Sequence, residues 1–237
     1  MHYETIWKKM KVRDPKMWPT WPILSSYVKE ARTIAEVGAG SLPKFPIQGT
    51  HFLDTSPSSI EALKNMGGKG EAISAEEPFP YPDGFFDLAG AFEVLEHLEH
   101  PENAFREISR VLKKEGRLIF STPIHQKYFS RWDAFAGHVQ RFETEQLDGL
   151  LQDQGFILEH CYVFRRARKK FIPLFSFFHM IGYAFVSRFP QCYYKWDIVF
   201  YPFSWILRAM ARPVRFDSLS KVPPDALTLL AVCRKVS

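Results

Sequence analysis

The spacing of apolar and polar residues changes repeatedly along the chain. Apolar runs as short as buried strands occur at residues 33–38, 52–54, 71–75, 85–91, 117–121, 156–164 and 226–233. Stretches with helical spacing of apolar residues lie between them, at 57–66, 101–112 and 147–151, and two more are expected near the amino terminus, at 3–12 and 23–29. Strands that alternate with helices predict an α/β fold with a mostly parallel sheet and helices on both faces.

The helix predicted at 101–112 has the clearest pattern. Pro101 stands where the first helical residue is expected, and a missing N–H costs nothing there. Phe105, Ile108 and Val111 share one face of the helix, and Gly116 follows its end. We therefore expect this helix to cover one face of the sheet.

Composition restricts the class of protein. The chain has 237 residues, of which 46% are hydrophobic and 24% charged, so a single domain with a sizeable core is expected over 1–237. These values exclude wholesale disorder, a collagen-like fibre and a disulfide-stapled miniprotein. The three cysteines are not clustered, and the amino terminus lacks the basic-then-apolar run of a secretory signal. We expect a reducing, cytoplasmic location and no structural zinc site.

One segment differs sharply from the rest. Between Arg165 and Arg215 there are ten basic residues and one acidic residue, while the remainder of the chain is mildly acidic. The same region holds 14 of the 37 aromatic residues. The sequence thus predicts three parts: a helical cap at 1–30, the main α/β domain, and a basic, aromatic-rich helical insert at 165–224 before the last strand.

Three interpretations of the insert remain open. It could form a lid over an acceptor pocket, dock on an anionic membrane through 165–215, or form a protein interface. Its longest run without charge, 171–187, is short for a spanning helix. Cations and aromatic rings are mostly segregated, whereas nucleic-acid surfaces usually interleave them, so nucleic acid is disfavoured as a partner.

A glycine turn and an acidic residue follow the first two predicted strands. Gly38 and Gly40 come directly after the first strand, and Asp54 closes the second, 18 residues after Glu36. Glycines let the backbone turn tightly against a ligand, and a carboxylate at the next strand end can accept hydrogen bonds from a ribose. From these residues alone, either a dinucleotide or an adenosyl sulfonium could be the cofactor.

Further motifs make a family resemblance specific. The chain carries EVGAG at 36–40, Asp54, FPYPDGFFD at 79–87, EVLEH at 93–97 and LKKEGRL at 112–118, in that order. This combination resembles the class I S-adenosylmethionine (SAM) methyltransferases. It is most similar to the type-11 group that includes ubiquinone-pathway O-methyltransferases. The resemblance covers residues 33–164 and the last strand.

The resemblance implies a fold and a cofactor site. It implies a Rossmann-like sheet of seven strands, with the last strand antiparallel between the fifth and sixth. It implies SAM as cofactor and S-adenosylhomocysteine as product. The implied cofactor-binding residues are Glu36, Gly38, Ala39, Gly40, Asp54, Thr55, Ser74, Ala75, Glu76, Phe92, Glu93 and His97.

The chain departs from the family pattern at three positions. Leu42 stands where the family has a third glycine, and Ser74 stands where an aspartate is frequent. The segment between Gly40 and Asp54 is short and contains two prolines, so the usual helix between the first two strands is expected to be truncated. An absent third glycine also disfavours a dinucleotide.

Methyl transfer requires the protein to position the acceptor against the methyl group and, when the acceptor is a hydroxyl, to provide a base. His138 and Arg141 lie in GHVQRF, which in this group precedes a helix bordering the acceptor pocket. We predict His138 as general base, or as a residue that only fixes its loop, and Arg141 as acceptor contact or loop anchor. His125 is a weaker candidate. Aromatic walls around the sulfonium could come from Phe92, Tyr3, Trp7 or Trp18. For the three amino-terminal residues, core packing is the favoured alternative.

Glu93, Glu96 and His97 would share one face if that segment were helical. A similar Glu-x-x-Glu-His pattern binds metal in some ubiquinone-pathway and small-RNA methyltransferases, which a carboxylate–imidazole set suits. We nevertheless expect His97 to make an ordinary helix-terminal cap and the protein to hold no metal.

The expected function is SAM-dependent methyl transfer to a small-molecule or lipid-linked acceptor, at oxygen. Two alternatives remain: an RNA 2′-O-methyltransferase, and a protein that keeps the fold but binds without turnover. Peripheral membrane association is expected only if the insert docks on lipid.

Overall fold

The computed structural model describes residues 4, 7, 8, 10–166 and 213–236. Five α-helices lie wholly within this part of the chain: α1 Trp21–Glu30, α2 Pro57–Asn65, α3 Pro101–Val111, α4 Arg131–Ala136 and α5 Thr144–Asp153. The strands are β1 Ile34–Val37, β2 His51–Asp54, β3 Lys69–Ala72, β4 Phe86–Phe92, β5 Leu112–Pro123, β6 Phe156–Arg166, β7 Val214–Phe216 and β8 Ala226–Lys235. The α/β class and the alternation predicted from the sequence are confirmed.

The eight strands form one sheet in the order β3-β2-β1-β4-β5-β8-β6-β7. The first five strands run parallel, and β8 is antiparallel to both of its neighbours, β5 and β6. This places the last strand where the family resemblance put it. The chain moves outward from β1 through β2 to β3 and then returns to the other side of β1 at β4. Strand order therefore reverses between β1 and β4, the place where ligands bind in such sheets.

The sheet has one strand more than the seven expected. The short β7 pairs antiparallel with Cys161–Val163 at the edge of β6. Its first two residues are exposed, so no burial pattern marked it in the sequence. The third strand lies at Lys69–Ala72 and not at the predicted 71–75, so it both begins and ends earlier, and Gly70 is its one buried residue. A side chain at Gly70 would meet the carbonyl oxygen of Phe52 at 2.3 Å, and glycine is what lets this edge strand pair closely.

Hydrophobic cores lie on both faces of the sheet. On one face, α3 buries Phe105 and Ile108 against Phe120, with the two phenyl rings edge to face at 5.6 Å. On the other face, Leu24 of α1 packs with Phe45 and residues of β4, β5 and β8. Burial of each such side chain contributes about 1.5–3 kcal/mol. The sheet is thus a rigid platform for the loops at its carboxyl edge.

Two expectations concern the segments next to the sheet. Residues 38–50, which connect β1 to β2, contain no helix. The sequence predicted a truncated helix here, and the structure has none. Of the helix predicted at 3–12, Glu4 and Trp7 are helical and residues 11 and 12 are not, while residues 3, 5, 6 and 9 lie outside the described residues. Residues 167–212, most of the proposed insert, also lie outside them. Within the described parts of the chain, no helix is both long and apolar enough to cross a membrane.

Candidate active site

The glycine turn after β1 lies at the point where strand order reverses. Gly38 and Gly40 have φ of 68° and 52°, a backbone region that glycine enters without strain. A Cβ at Gly38 would lie 2.3 Å from a methyl carbon of Val94, so this position also has no room for a side chain. The Gly38 amide donates to the carbonyl of Leu53 at 2.7 Å, which joins the turn to the end of β2.

Asp54 meets this turn directly. Its Oδ2 accepts the Gly40 amide at 2.8 Å, and its Oδ1 accepts the Ser56 amide at 2.8 Å. Burial raises the pKa of Asp54, and the two amides partly oppose that effect. The structure thus brings the two glycines and the carboxylate together, as the motif required. We call Gly38, Gly40 and Asp54 the glycine crevice.

Glu36 supports the crevice from inside the protein. It is 1% exposed, and its two carboxylate oxygens accept the amides of Lys44 and Phe45, each at 2.8 Å. Burial raises its pKa to about 7, against the effect of these amides and of the Lys44 charge. The connection between β1 and β2 has no helix, and these two hydrogen bonds from Lys44 and Phe45 to Glu36 hold it in place. The placement of Glu36 therefore favours a supporting role over direct cofactor contact.

The residues expected at the adenine end follow β3. Ser74 Oγ accepts the Glu76 amide at 3.2 Å, and Ala75 is buried in the core. The Glu76 carboxylate accepts the His100 amide at 2.6 Å, which ties this loop to the start of α3. Thr55 is exposed beside Asp54. Their placement agrees with a loop that borders the crevice, and their contact with cofactor remains a prediction.

Phe92 ends β4, and Glu93 follows it directly. The Phe92 ring packs edge to face on Phe45 at 5.3 Å, within the core. Glu93 has φ of 55°, unusual for a residue with a side chain, and its carboxylate accepts the Ser121 hydroxyl at 2.8 Å. Backbone strain of this kind costs about 1–3 kcal/mol and concentrates at functional sites.

A second group of polar side chains follows β4 and β5. One ligand atom each of Glu96, His97 and His138 lies within 4.8 Å of the others, and the two imidazole rings meet edge to face at 4.7 Å. We call these three residues, with Asp133, the histidine cluster. Glu93 lies outside it. The 3₁₀ helix Leu95–His97 starts only after Glu93, so the shared helical face expected for Glu93, Glu96 and His97 does not form.

Backbone and side-chain acceptors orient both imidazoles. His97 Nδ1 lies 3.0 Å from the Gly137 carbonyl, and His138 Nδ1 lies 3.0 Å from Asp133 Oδ1. His97 thus bonds a distant loop and is not the simple helix cap expected. Burial lowers its pKa to about 4, with the His138 charge acting in the same direction. His97 is therefore neutral at neutral pH.

Glu96 is the least satisfied member of the cluster. It is fully buried, and its Oε2 accepts the Thr122 hydroxyl at 3.3 Å. Its Oε1 has no hydrogen-bond partner among the described residues and lies 3.8 Å from His138 Nε2. Burial raises the pKa of Glu96, and the Glu93 charge adds to this. A proton retained on Glu96 or a divalent cation would each satisfy these atoms, since two imidazoles and a carboxylate suit such ions.

Asp133 was missed by the sequence analysis. It is fully buried and accepts hydrogen bonds from Ser130, His138 and both Nε and Nη2 of Arg141, at 2.9 and 3.1 Å for the guanidinium. Burial alone would raise its pKa, but the bonds from His138 and Ser130 and the Arg141 charge lower it overall. The spacing of Ser130 and Asp133, a helix capping box, was the available signal.

Arg141 and His125 serve the loops around the cluster. The Arg141 guanidinium is bound to Asp133 and its amide donates to Gln126 Oε1 at 2.8 Å, which supports the loop-anchor alternative. Both ring nitrogens of His125 are engaged, by Glu143 at 2.8 Å and by the Pro223 carbonyl at 3.3 Å. His125 therefore fixes its loop and offers no free base.

A separate groove lies at the opposite, amino edge of the sheet. It has a volume of about 250 Å³ and includes Tyr27, Asp87, Lys113 and Arg117 in its lining. It contains none of the predicted site residues. Asp87 and Lys113 form an ion pair at 2.6 Å, so each charge already has a partner within the protein. The glycine crevice remains the better candidate site, because its position follows from the strand order.

The strand order and the junction of Gly40 with Asp54 define the class of protein: a class I SAM-dependent methyltransferase. Residues 37–160 match the family described as "Methyltransferase domain", and the chain belongs to that family. The class expected from the sequence motifs, and SAM as its cofactor, are thereby confirmed.

Comparison with known proteins gives relatives of several kinds. The chain is 30% identical over 142 residues to the ubiquinone/menaquinone biosynthesis C-methyltransferase UbiE of Salmonella arizonae; the match spans 52% of this chain and 57% of the relative. The fold is similar to a SAM-dependent methyltransferase of Thermotoga maritima, with a TM-score of 0.56, 16% identity and coverage of 99% and 100%. It is also similar to the [4+2]-cyclase SpnF, with a TM-score of 0.57, 19% identity and coverage of 90% and 80%.

Proposed function

We propose that this protein transfers the methyl group of SAM to an oxygen atom of a small-molecule or lipid-linked acceptor, with His138 as general base. The observation that carries the proposal is the pairing of His138 Nδ1 with Asp133 Oδ1 at 3.0 Å. An imidazole that donates from Nδ1 keeps the lone pair of Nε2 for a proton. Asp133 thus selects the tautomer that a base requires.

The glycine crevice fits the cofactor. When bound, SAM supplies a methyl group on a positively charged sulfur. Each oxygen of Asp54 has one backbone partner and retains acceptor capacity for ribose hydroxyls. Gly38 and Gly40 leave the backbone uncovered by Cβ atoms, so a ligand can approach it closely. Positioning of two reactants in this way can contribute about 7–11 kcal/mol to the rate.

The acceptor hydroxyl loses its proton in this reaction, so a base must accept that proton. In the proposed reaction the acceptor oxygen forms the bond to carbon, and its proton moves to His138 Nε2. The resulting imidazolium faces Glu96 Oε1 at 3.8 Å and Asp133 at 3.0 Å, so carboxylates lie on both sides of the new charge. General-base catalysis of this kind contributes about 10²–10⁴-fold.

Isotope transfer tests the proposal. The purified protein is incubated with SAM carrying a deuterated methyl group and a panel of phenols, catechols and quinols, and products are identified by mass spectrometry and NMR. We expect O-methyl products, a rate lower by about 100-fold in His138→Ala, and unchanged affinity for S-adenosylhomocysteine. His100→Ala, which alters an exposed histidine, is the control. A rate unaffected by His138→Ala would remove this residue from the mechanism.

The similarity to UbiE favours a second candidate, methyl transfer to a carbon atom of a quinol-type acceptor. A quinol carbon becomes nucleophilic when a neighbouring hydroxyl loses its proton, so the same base would serve. The chain spans just over half the length of this relative, and the acceptor of UbiE is not carried over. In the isotope experiment NMR separates C-methyl from O-methyl groups. Products methylated only at carbon would replace the oxygen assignment.

Lipid-linked acceptors are proposed because of the sequence of the insert. Five cations occur at 165–170, where each could contribute about 1 kcal/mol on an anionic membrane surface. We expect co-sedimentation with phosphatidylserine vesicles and its loss when these five residues are replaced by serine. Vesicles of neutral phosphatidylcholine are the control. Equal sedimentation of parent and variant would remove membrane docking.

A further inference from the structure

A short amino-terminal segment lies across the glycine crevice. A Cβ built on Gly40 would meet two atoms of the Trp7 indole at 2.7 and 2.8 Å, so the ring rests directly on this glycine. The Ser41 hydroxyl donates to the Trp7 carbonyl at 3.3 Å, and the Arg13 amide donates to the Ser41 carbonyl at 3.1 Å. Both flanks of the indole are therefore attached to the turn after β1.

A second contact fastens the same segment beside Asp54. The Ser56 hydroxyl donates to the carboxylate of Glu4, and this bond lowers the pKa of Glu4. Ser56 is also the residue whose amide binds Asp54 Oδ1 at 2.8 Å. The segment thus touches the crevice on both sides, at Gly40 and next to the carboxylate that the ribose needs.

This cover leaves the crevice with little contact with solvent. Asp54 is 8% exposed and Ser41 is 1% exposed. A nucleoside must contact the Asp54 carboxylate and the backbone of Gly40, and neither is open to a ligand of that size while the indole rests on Gly40. Entry of SAM therefore requires this segment to move.

The cover is attached more weakly than a core element. Glu4 is exposed and Trp7 is half-buried, in contrast to the fully buried residues beneath the sheet. A segment with few buried contacts and exposed hydrogen bonds opens locally at low cost. We propose that the described residues of this segment, Glu4, Trp7, Lys8 and Met10, belong to a gate over the SAM site, with Trp7 as the part that covers the crevice and Glu4 as its latch on Ser56.

The gate accounts for one requirement of the reaction. Opening admits the cofactor, because the indole then leaves the glycine that the nucleoside must contact. The inference rests on SAM as cofactor but not on the identity of the acceptor.

A cross-link tests the gate. Glu4→Cys and Ser58→Cys are combined, because Ser58 Oγ lies 3.2 Å from Ser56 Oγ and its replacement leaves the Ser56 helix cap in place. A short bifunctional thiol reagent then joins the two cysteines. Association of S-adenosylhomocysteine is measured by stopped-flow fluorescence, and the Glu4→Cys variant treated with the same reagent is the control. We expect association to slow by about tenfold or more in the cross-linked protein.

Two outcomes would overturn the gate in different ways. Equal association rates with and without the cross-link would overturn the gate alone. A parent protein that binds neither S-adenosylhomocysteine nor SAM would overturn the cofactor assignment together with the gate.

Single substitutions give an independent measurement that needs no cross-linking. Trp7→Ala uncovers Gly40 and Glu4→Gln weakens the latch, so both should accelerate association several-fold. Lys11→Ala, at an exposed residue just beyond the gate, is the matched control and should leave the rate unchanged. Association rates of Trp7→Ala and Glu4→Gln that equal that of Lys11→Ala would contradict the proposal.

Discussion

The glycine crevice and the histidine cluster lie at the same edge of the sheet but differ in how their polar groups are satisfied. In the crevice, both oxygens of Asp54 accept backbone amides. In the cluster and at its anchor, Glu96 Oε1 and Arg141 Nη1 are buried without partners among the described residues. Buried polar atoms without partners are rare, and each one calls for an explanation.

This difference separates two tasks. The crevice is built from backbone geometry that only glycine allows, so its shape is fixed before a ligand arrives. The cluster is built from titratable side chains, and in the proposed function its unsatisfied atoms serve proton transfer. The proposed function thus places cofactor binding and catalysis in neighbouring loops that are stabilised in different ways.

The largest effect is expected from Asp133→Asn. The substitution leaves the Arg141 guanidinium buried without its carboxylate, and removal of one partner of a buried ion pair costs about 3–5 kcal/mol. Urea unfolding at pH 7 measures this change. Asp153→Asn, at an exposed carboxylate, is the control and should change the free energy of unfolding by less than about 0.5 kcal/mol.

The same variant tests the pH dependence of the cluster. The pKa of Asp133 is lower than its ordinary value of 3.8, so its stabilising contribution is present above that pH and is lost as the pH falls below it. The free-energy difference between parent and variant should therefore shrink in acid. A difference that stays constant down to pH 2 would contradict the ion pair.

The next effect concerns Glu36 beneath the crevice. Its pKa is raised from 4.5 to about 7, so the folded protein binds a proton more tightly than the unfolded chain. The corresponding stability is fully present below pH 4.5 and is lost as the pH rises to 7, on the order of 3 kcal/mol. Glu36→Gln should remove this part of the pH dependence.

Urea unfolding of parent and Glu36→Gln at pH 4.5 and 7.5 gives the measurement. Groups common to both proteins cancel when the two pH differences are subtracted. Parallel pH profiles for the two proteins would show that Glu36 does not titrate in this range.

The smallest effect is expected from Asp54→Ala. Loss of charge-assisted hydrogen bonds should weaken binding of S-adenosylhomocysteine by about 1–3 kcal/mol in calorimetry. Glu61→Ala, at an exposed residue of α2, is the matched control. Unchanged affinity in Asp54→Ala would separate the crevice from cofactor binding and leave the cluster as the sole candidate site.

The periodicity of apolar residues and the positions of proline and glycine were sufficient to predict most of the fold. The strands around the glycine turn and helices α2, α3 and α5 lie close to their predicted positions, because each combines a buried stripe with proline or glycine at its ends. β7 and the start of β3 were missed, since exposed edge strands carry no burial pattern. The glycine crevice could also be predicted from the sequence, because Gly38, Gly40 and Asp54 follow consecutive strands.

The histidine cluster needed the tertiary structure. His97 and His138 are far apart in sequence, but the sheet brings the loops after β4 and β5 side by side, and the two rings meet. Asp133 gave only the signal of a helix cap, yet it orients both His138 and Arg141. Glu93 shows the converse, since its positive φ turns it out of the helical face that its spacing suggested.

The amino-acid sequence by itself determined the α/β class, the position of the glycine turn and the carboxylate opposite it. These features depend on local rules: the period of burial, the conformational freedom of glycine, and the fact that parallel strands end at one edge. The tertiary structure alone decided which titratable side chains meet and what covers the crevice. Those contacts join residues distant in sequence, and their hydrogen bonding and burial are set only when the sheet has assembled.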